Sequence, residues 1–505
     1  MDPYVEKILT SRVYDVAIET PLQKANSISR KLHNEIFLKR EDQQSVFSFK
    51  NRGAYNTIFH LKQADPALTG VICASAGNHA QGVANGAKHL GLKSVIVMPK
   101  TTPQLKVEGV KALGGEVVLH GDAFDDAYAH AIELQKQHGY AFVHPFDAEH
   151  TIAGQGTVGM EIVQQHPEPL DAIFVQIGGG GLAAGVSVLI KSLWPNTKVI
   201  GVEPHDAACM QAAIKAGKPV DIGPVGIFAD GCAVRIAGTE THRVCAQYLD
   251  EVITANTDEI CAAIKDVFDD TRAILEPSGA LALAGAKKYI AAHQWEGKRI
   301  AVVTSGANVN FDRLRHVTER AEIGEQREAI LAVTIPEKPG SFRSFCQLLG
   351  ERQVTEFNYR FSDSEDAKIF VGVQVMGVAG REALLDTLHR HGLEVMDMTD
   401  NEVAKLHTRH MVGGRAPMIN DERVFRFEFP ERPGALAKFL DTIADASNWN
   451  ISLFHYRNHG SAYGRVLVGI QVPSADSAAF EACIDGLGYQ YHEESDNEAY
   501  LSFLR

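Results

Sequence analysis

Four short segments of the chain carry residue types that could do chemistry together. One offers a lysine amine, one is a run of glycines, and two combine serine, glycine and asparagine. The segments lie far apart in sequence, and no single one would justify a functional prediction. They are residues 48–53 (SFKNRG), 75–79 (SAGNH), 178–182 (GGGGL) and 304–308 (TSGAN).

Lys50 is the candidate reactive amine. A lysine that bonds covalently to an aldehyde must first lose its proton, and a desolvated position with few carboxylates favours that loss. Lys50 follows a phenylalanine-bearing segment and precedes a predicted helix over residues 51–61. Taken alone, the segment fits a solvated lysine at the start of a helix better, so its role depends on the other three segments.

The glycine run, Gly178, Gly179, Gly180 and Gly181 followed by Leu182, lies between a predicted strand over 172–177 and a predicted helix. Consecutive glycines let backbone N–H groups converge on a phosphate at a helix N-terminus. Glu203 stands near the spacing at which a dinucleotide-binding fingerprint places an acidic residue. The run therefore predicts a phosphate site and leaves a dinucleotide interpretation open.

The segment Ser75, Ala76, Gly77, Asn78 and His79 also lies at a change from strand to helix. Backbone amides there can hold a substrate carboxylate, while Asn78 hydrogen-bonds a cofactor hydroxyl. On local grounds, Asn78 or Ser75 serves equally well as a helix N-cap. Both interpretations stay open at this point.

Ser305 follows a predicted strand over 300–303, where its hydroxyl can hydrogen-bond a pyridine nitrogen. A neutral hydroxyl does not hold a full pyridinium, which favours elimination of a leaving group over transamination. The amine, the hydrogen-bonding wall, the phosphate cradle and the ring partner together predict an enzyme that uses pyridoxal 5′-phosphate (PLP).

The elements that must position these segments alternate between short β-rich runs and amphipathic helices from about residue 70 to 310. Such alternation predicts parallel sheets covered on both faces, here as two α/β lobes that share a cleft. A highly charged stretch over 313–328 then marks a predicted domain boundary.

The remainder of the chain contains an internal repeat. The motif P-E-x-P-G at Pro336 recurs at Pro430, and F-x-Y-R, which contains Tyr359, recurs around Tyr456 and Arg457. Each copy predicts the order strand, turn, helix, strand, strand, helix, which describes a small α+β unit duplicated in tandem. A duplicated binding module is the natural interpretation.

Composition limits the classes of partner. The 505 residues carry a net charge of -14, which disfavours binding to a nucleic-acid backbone. The seven cysteines are scattered without a C-x-x-C pair, so we expect reduced thiols and no metal site. No apolar run approaches the roughly 18 residues needed to span a membrane. We therefore expect a cytoplasmic protein with no membrane partner.

The four segments, together with Glu-Pro-Ser-Gly-Ala at residues 276–280, resemble the biosynthetic threonine deaminases, which are fold-type II PLP enzymes with ACT-like regulatory subdomains. The resemblance covers nearly the whole chain. It implies a catalytic domain over residues 1–320, regulatory subdomains over 329–400 and 423–505, and a homotetramer.

The resemblance also implies residue roles and ligands. Lys50 would hold PLP covalently, Asn78 would contact its O3′, Gly178 to Leu182 would cradle its phosphate, and Ser305 would face its ring nitrogen. The segment from Ser75 to His79 would bind the substrate, L-threonine or L-serine. Isoleucine would inhibit the enzyme and valine would oppose this inhibition, both through the allosteric residues Tyr359, Tyr456 and Arg457.

Other functions stay in view. One is an L-serine dehydratase or another β-eliminating PLP enzyme, which has less need of two sensing modules. Another is an amino-acid sensor without enzymatic activity, whose N-terminal lobes are relict. Serine racemases resemble the 75–79 loop but carry a second serine where this chain has Ala76. Because racemization needs a proton donor on each face, Ala76 favours elimination.

Overall fold

The computed structural model forms two compact units, Met1–Gly324 and Glu325–Arg505. The structure describes the chain from residue 2 onward apart from short stretches at 101, 103, 122–123, 339, 361–365, 412–415, 417–418, 431–434, 447–448, 458–462, 498–499, 502–503 and 505. Across the described residues, no helix is both long and apolar enough to cross a membrane.

The N-terminal unit contains two sheets surrounded by helices. Its strands are β1 (Leu22–Lys24), β2 (Glu35–Lys39), β3 (Gly70–Ala74), β4 (Lys93–Met98), β5 (Glu116–Leu119), β6 (Ala141–Phe142), β7 (Ala172–Gln176), β8 (Lys198–Pro204), β9 (Glu251–Ala255) and β10 (Arg299–Val303). Its helices are α1 (Pro3–Leu9), α2 (Asn26–Leu32), α3 (Lys50–Ala64), α4 (Asn78–His89), α5 (Gln104–Ala112), α6 (Phe124–His138), α7 (Glu149–Gln165), α8 (Gly181–Leu193), α9 (Cys209–Ala216), α10 (Thr239–Tyr248), α11 (Thr257–Thr271), α12 (Pro277–His293) and α13 (Arg313–Gly324).

The larger sheet has the strand order β1-β2-β10-β7-β8-β9, and the smaller has β5-β4-β3-β6. All pairs are parallel except β1 with β2. This arrangement confirms the predicted two-lobed α/β fold with parallel sheets.

Side chains of β7 explain why its sequence is continuously apolar. Phe174 packs in the core on one face of the sheet, whereas Ile173 and Val175 pack in the core on the other. A strand that is buried on both faces needs apolar residues at every position, and all five positions of β7 are buried. Helices α11 and α12 contribute to one core, and α7 and α8 to the other.

The candidate segments follow the carboxyl ends of strands. Ser75 comes directly after β3, Gly178 shortly after β7, and Thr304 directly after β10. In parallel α/β sheets, ligands bind at this edge, where loops leave the strands and helices begin. The topology therefore places three of the four segments where a ligand is expected.

The C-terminal unit is built from the two repeat copies. Its strands are β11 (Glu328–Pro336), β12 (Val354–Arg360), β13 (Asp366–Gln374), β14 (Glu394–Asp397), β15 (Glu422–Pro430), β16 (Asn450–Arg457), β17 (Tyr463–Gln471) and β18 (Gln490–Glu493). Its helices are α14 (Ser341–Leu349), α15 (Gly377–Arg390), α16 (Glu402–Leu406), α17 (Ala435–Ala446) and α18 (Ser477–Gly486).

These strands form one antiparallel sheet in the order β14-β11-β13-β12-β16-β17-β15-β18. The two copies join through β12 and β16, where Phe357 pairs with Tyr456 and Tyr359 pairs with Phe454. Each copy also ends in a short strand, β14 or β18, that the predicted order lacked. These strands of four residues lie at the two edges of the sheet and are mostly exposed, so their sequences carry little apolar signal.

Candidate active site

Lys50 is the first residue of α3, and its surroundings favour a neutral amine. Its Nζ donates a hydrogen bond to the carbonyl oxygen of Pro145, 3.0 Å away. Burial lowers the pKa of Lys50 to about 8, because desolvation outweighs the attraction of Cys232 and Glu276. A substantial fraction of the amine is therefore unprotonated at mildly alkaline pH, as a nucleophile or base requires.

The 304–308 segment lies beside Lys50. Ser48 forms an isolated antiparallel bridge with Gly306, and the backbone N–H of Phe49 donates to the carbonyl of Ser305 at 3.2 Å. Ser305 is buried, and its hydroxyl lies 3.4 Å from the carbonyl oxygen of Ser278 at the start of α12. No acidic side chain hydrogen-bonds this hydroxyl in the described structure, which suits a neutral partner for a ring nitrogen.

Asn78 links the second segment to the fourth. Its Nδ2 donates to Glu276 Oε1 at 2.6 Å, and its Oδ1 accepts from Asn308 Nδ2 at 2.7 Å. The N-cap of α4 is Gly77, and no side chain caps this helix. The local alternative, in which Asn78 or Ser75 caps the helix, is therefore wrong. The side chain of Asn78 instead belongs to a hydrogen-bonded chain that connects three loops.

Glu276 precedes α12 and is a second group with an unusual pKa. Burial raises the pKa of its carboxyl to about 7, and the negative charge of Asp230 acts in the same direction. The hydrogen bond from Asn78 and the positive charges of Lys106 and Arg313 oppose this rise. The sequence prediction gave residues 276–280 only as part of a motif and assigned Glu276 no role.

Three other residues of the 75–79 segment make contacts within the small lobe. His79 Nε2 lies 2.9 Å from the carbonyl oxygen of Val143, and burial lowers the pKa of this imidazole to about 3, so it is neutral. Ser75 Oγ accepts the backbone N–H of Gly77 at 3.3 Å. Ala76 packs against the apolar core of the small lobe.

The glycine run forms an anion-binding loop before α8. The backbone N–H groups of Gly178, Gly179, Gly180 and Gly181 donate to no residue that the structure describes. Gly180 has a φ of 98°, in the left-handed region that favours glycine. A Cβ at Gly179 would lie 2.2 Å from the ring of Phe146, so larger residues do not fit there. Unpaired N–H groups at a helix N-terminus suit a phosphate.

A loop that the sequence prediction did not single out connects these parts. Pro145 accepts from Lys50, and the Phe146 ring packs against Gly179. Asp147 accepts the backbone N–H groups at the start of α10, from Thr239, Glu240 and Thr241, at 2.9–3.0 Å. The sequence signal was an aromatic and an acidic residue, Phe146 and Asp147, a few residues after the short strand β6.

The comparisons with known proteins agree with this geometry. Residues 13–306 match the family profile described as pyridoxal-phosphate dependent enzyme. Residues 319–408 and 413–504 match the profile of the C-terminal regulatory domain of threonine dehydratase. The chain belongs to the threonine dehydratase family.

Relatives in this family match over almost the full chain. The biosynthetic L-threonine dehydratase IlvA of Burkholderia multivorans is 57% identical, over 99% of this chain and 99% of the relative. The enzyme of the same name from Escherichia coli is 55% identical, over 99% of this chain and 97% of the relative. Among solved structures, the processed form of threonine deaminase isoform 2 from Solanum lycopersicum has a TM-score of 0.62 at 48% identity, covering 63% of this chain and 88% of that one.

The cofactor of the threonine dehydratase family is PLP, and the residues present fit it. The unpaired N–H groups of the glycine loop suit its phosphate, and the amine of Lys50 suits its aldehyde. Glu203, the acidic residue of the dinucleotide interpretation, accepts the N–H groups of Met210 and Gln211 at the start of α9. Its carboxylate is already used there, so the dinucleotide interpretation gains no support. Among the described residues, no cluster of three or more His, Cys, Asp or Glu is arranged for a metal ion.

The C-terminal unit of this chain has a cavity between its two repeat copies. From the first copy, Glu337 Oε1 accepts the hydroxyl of Tyr359, while Glu337 Oε2 is buried with no partner in the described structure. The second copy supplies an apolar wall of Leu440, Ile443, Trp449 and Ile451.

The other predicted allosteric residues lie in β16. Tyr456 is buried at the junction of the copies, where its backbone pairs with Phe357 of β12. The backbone of Arg457 also lies in β16, but its side chain falls outside the described residues.

Proposed function

We propose that the chain dehydrates and deaminates L-threonine to 2-oxobutanoate and ammonia, with L-serine as a second substrate. The observation that carries this proposal is the convergence of an amine of lowered pKa, at Lys50, with unpaired N–H groups in the glycine loop. The loop at Pro145 and Phe146 contacts both of them. Relatives that match nearly the whole chain are named L-threonine dehydratases.

When bound, PLP withdraws electrons from the substrate Cα and so makes its proton acidic. In our proposal Lys50 removes that proton as a neutral amine, which its pKa of about 8 permits. Asn78 orients the cofactor through O3′, and Ser305 keeps the ring nitrogen hydrogen-bonded without a full charge.

The proposal also covers how the substrate is held and how water and the products leave. The segment from Ser75 to His79 holds the substrate carboxylate at the start of α4. The β-hydroxyl takes up a proton and leaves as water, which balances the proton that Lys50 removes from Cα. The released enamine tautomerises to an imine, which water hydrolyses to 2-oxobutanoate and ammonia.

An L-serine dehydratase is the nearest alternative. Serine lacks one methyl group of threonine, and such a group is worth only about 1–3 kcal/mol in a binding pocket. Both substrates should therefore react, and the two proposals differ in which has the higher kcat/KM. The regulatory domain profile over residues 319–408 and 413–504 favours threonine.

The test is a product assay with both amino acids. We expect 2-oxobutanoate and ammonia in equal amounts from threonine, pyruvate from serine, and a higher kcat/KM for threonine. Equal or higher kcat/KM for serine would favour the serine dehydratase. A pure protein that holds PLP but releases no ammonia from either amino acid would favour the nonenzymatic sensor.

We further propose that residues 1–320 carry catalysis and that subdomains 329–400 and 423–505 give feedback control. Isoleucine would inhibit the enzyme and valine would oppose this inhibition, and both would bind at the junction of the two copies. Support comes from the cavity, because the buried unpaired oxygen of Glu337 can accept an α-ammonium group. The wall of Leu440, Ile443, Trp449 and Ile451 can receive an aliphatic side chain.

Variants of the cavity test this regulation. In threonine saturation curves, Glu337→Gln and Tyr359→Ala should weaken isoleucine inhibition several-fold, as an allosteric coupling of about 1–3 kcal/mol allows. Tyr456→Ala and Arg457→Ala test the second copy in the same assay. Glu351→Gln is the control, since Glu351 is an exposed carboxylate of the same unit. Unchanged inhibition in all four of these variants would place the effector site elsewhere.

The assembly and location follow as part of the proposal. We propose a cytoplasmic homotetramer. Light scattering of the purified protein should give a mass near four times 55.0 kDa. A monomeric mass under assay conditions would contradict the assembly while leaving the catalytic proposal unaffected.

A further inference from the structure

Three of the four carbonyl groups of the glycine loop each face a side-chain donor. The hydroxyl of Thr241 lies 2.6 Å from the carbonyl oxygen of Gly179. The thiol of Cys209 lies 3.4 Å from that of Gly178, and the thiol of Cys245 lies 3.8 Å from that of Gly180. Three consecutive peptide groups are thus contacted from α9 and α10.

This pattern determines where the N–H groups of the loop point. In a trans peptide, the carbonyl of one residue and the N–H of the next point in opposite directions. Carbonyls held toward α9 and α10 therefore turn the N–H groups of Gly179, Gly180 and Gly181 to the opposite side. Glycine peptides rotate more freely than any others, so a loop of glycines needs external contacts to fix this orientation.

Thr241 makes the strongest of these contacts. A hydroxyl is a better donor than a thiol, and its distance to the acceptor is the shortest. Its other neighbouring acceptor, the carbonyl of Gly238, is more distant at 3.3 Å. Cys209 also interacts with the carboxyl of Glu203, and the carbonyl of Gly180 already accepts the N–H of Ala184 in α8.

The position of Thr241 is itself fixed. Its side chain is 0% exposed, and its backbone N–H donates to Asp147 at 3.0 Å. Asp147 accepts two further N–H groups at the start of α10, so the helix cannot shift without losing these charge-assisted bonds. The hydroxyl thus meets the glycine loop from a rigid support.

We propose that Thr241 is a positioning residue for the cofactor phosphate. Its hydroxyl holds the Gly179 carbonyl, and this orients the Gly180 N–H toward the phosphate. The inference rests on the proposed cofactor site but concerns a residue that lies behind the loop and has no direct contact with the cofactor.

The test is a graded series at one position in the full-length protein. Thr241→Ser retains a hydroxyl, Thr241→Cys offers a weak donor, and Thr241→Val keeps the shape without a donor. We measure the PLP dissociation constant and the ³¹P chemical shift of bound PLP. The dissociation constant should rise in the order Ser, Cys, Val, reaching about threefold to tenfold for valine. The ³¹P shift should move in the valine variant and return in the serine variant.

Thr197→Val is the matched control. Thr197 is also a buried threonine, and its hydroxyl donates to the carbonyl of Leu170 at 2.7 Å, in a strand-connecting loop. This variant should lose stability yet bind PLP as the wild type does. If Thr241→Val fails to fold, the serine and cysteine variants still give the predicted order.

Two results would overturn the inference. One is a dissociation constant within twofold of wild type, with an unmoved ³¹P shift, across the Thr241 series. The other is an equal loss of PLP affinity in Thr197→Val, which would mean that general destabilisation is the cause. A wild-type protein that binds no PLP would instead refute the cofactor site on which the inference rests, so the two failures are distinguishable.

Discussion

At Lys50, desolvation outweighs the attraction of neighbouring acidic groups, whereas at Glu276 burial disfavours the carboxylate. Both effects favour the neutral form of the side chain. A site with little net charge near the reacting amine suits a base that must remain unprotonated. The pKa of Glu276, about 7, also makes stability depend on pH.

Glu276→Gln tests this dependence. The folded protein binds a proton at Glu276 up to about pH 7, but the unfolded chain releases it near pH 4.5. Stability therefore falls as pH rises through this window, by about 3 kcal/mol from this group. Urea unfolding of the cofactor-free protein at pH 5 and pH 8 should show the wild type losing more stability than Glu276→Gln. Parallel losses in the two proteins would contradict the raised pKa.

Ser305→Asp tests the ring partner. A carboxylate there would favour a protonated pyridine nitrogen and a stronger electron sink, so transamination should appear beside elimination. Product analysis after many turnovers should find pyridoxamine phosphate in this variant. Ser305→Asn is the neutral control of similar shape and should not produce it. Unchanged products in the aspartate variant would count against Ser305 as the partner.

The sequence predicted the residue types of the site but not their connections. Lys50, Asn78 and the glycine run were recognisable, because their chemistry appears in short motifs. Asp147 and Thr241 were not, since an acidic loop residue and a threonine in a helix have many ordinary roles. Their function depends on contacts between residues more than 60 positions apart, which no local pattern reveals.

Among the elements, β2, α3 and α7 are joined by a buried ionic network next to the catalytic lysine. Arg52 donates to Glu41 at 2.8 Å and to Glu161 at 2.5 Å, and Lys39 donates to Glu161 at 2.6 Å. The side chains of all four residues in these pairs are 0% exposed. Because Arg52 lies in the first turn of α3, the network also fixes the start of the helix that carries Lys50.

Arg52→Met tests this network. Removing the guanidinium leaves two buried carboxylates with only Lys39 between them, which should cost about 3–5 kcal/mol. The measurement is the free energy of urea unfolding. The control is Arg12→Met, because Arg12 is 56% exposed and pairs with Asp15 at 3.2 Å, a surface pair worth less than about 1 kcal/mol. A similar loss in the two variants would mean that the network adds no special stability.

Apolar character determines which strands the sequence predicted well. Strands β3 and β7 are continuously apolar, and β7 ends within one residue of the predicted strand over 172–177. β2 was not predicted, since it contains Glu35 and Lys39, and a buried lysine resembles a surface one until its partner is known. The short edge strands β14 and β18 have similarly weak apolar patterns.

Over the whole molecule, the chain has two compact units with different sheet types, parallel in one and antiparallel in the other. The repeat in the sequence predicted the antiparallel unit, and the alternation of strands and helices predicted the parallel one. The repeat also indicated that the two copies could pair their sheets, but it did not identify β12 and β16 as the strands that join them. That junction depends on pairing between strands nearly a hundred residues apart.

The central claim is that four distant segments meet to make Lys50 the attachment point of PLP. Borohydride reduction of the native protein, followed by digestion and mass spectrometry, tests it most directly. We expect one phosphopyridoxyl group per chain, on the peptide that contains Lys50, and none in Lys50→Ala. A stable adduct on a different lysine, or one that persists in Lys50→Ala, would contradict the account.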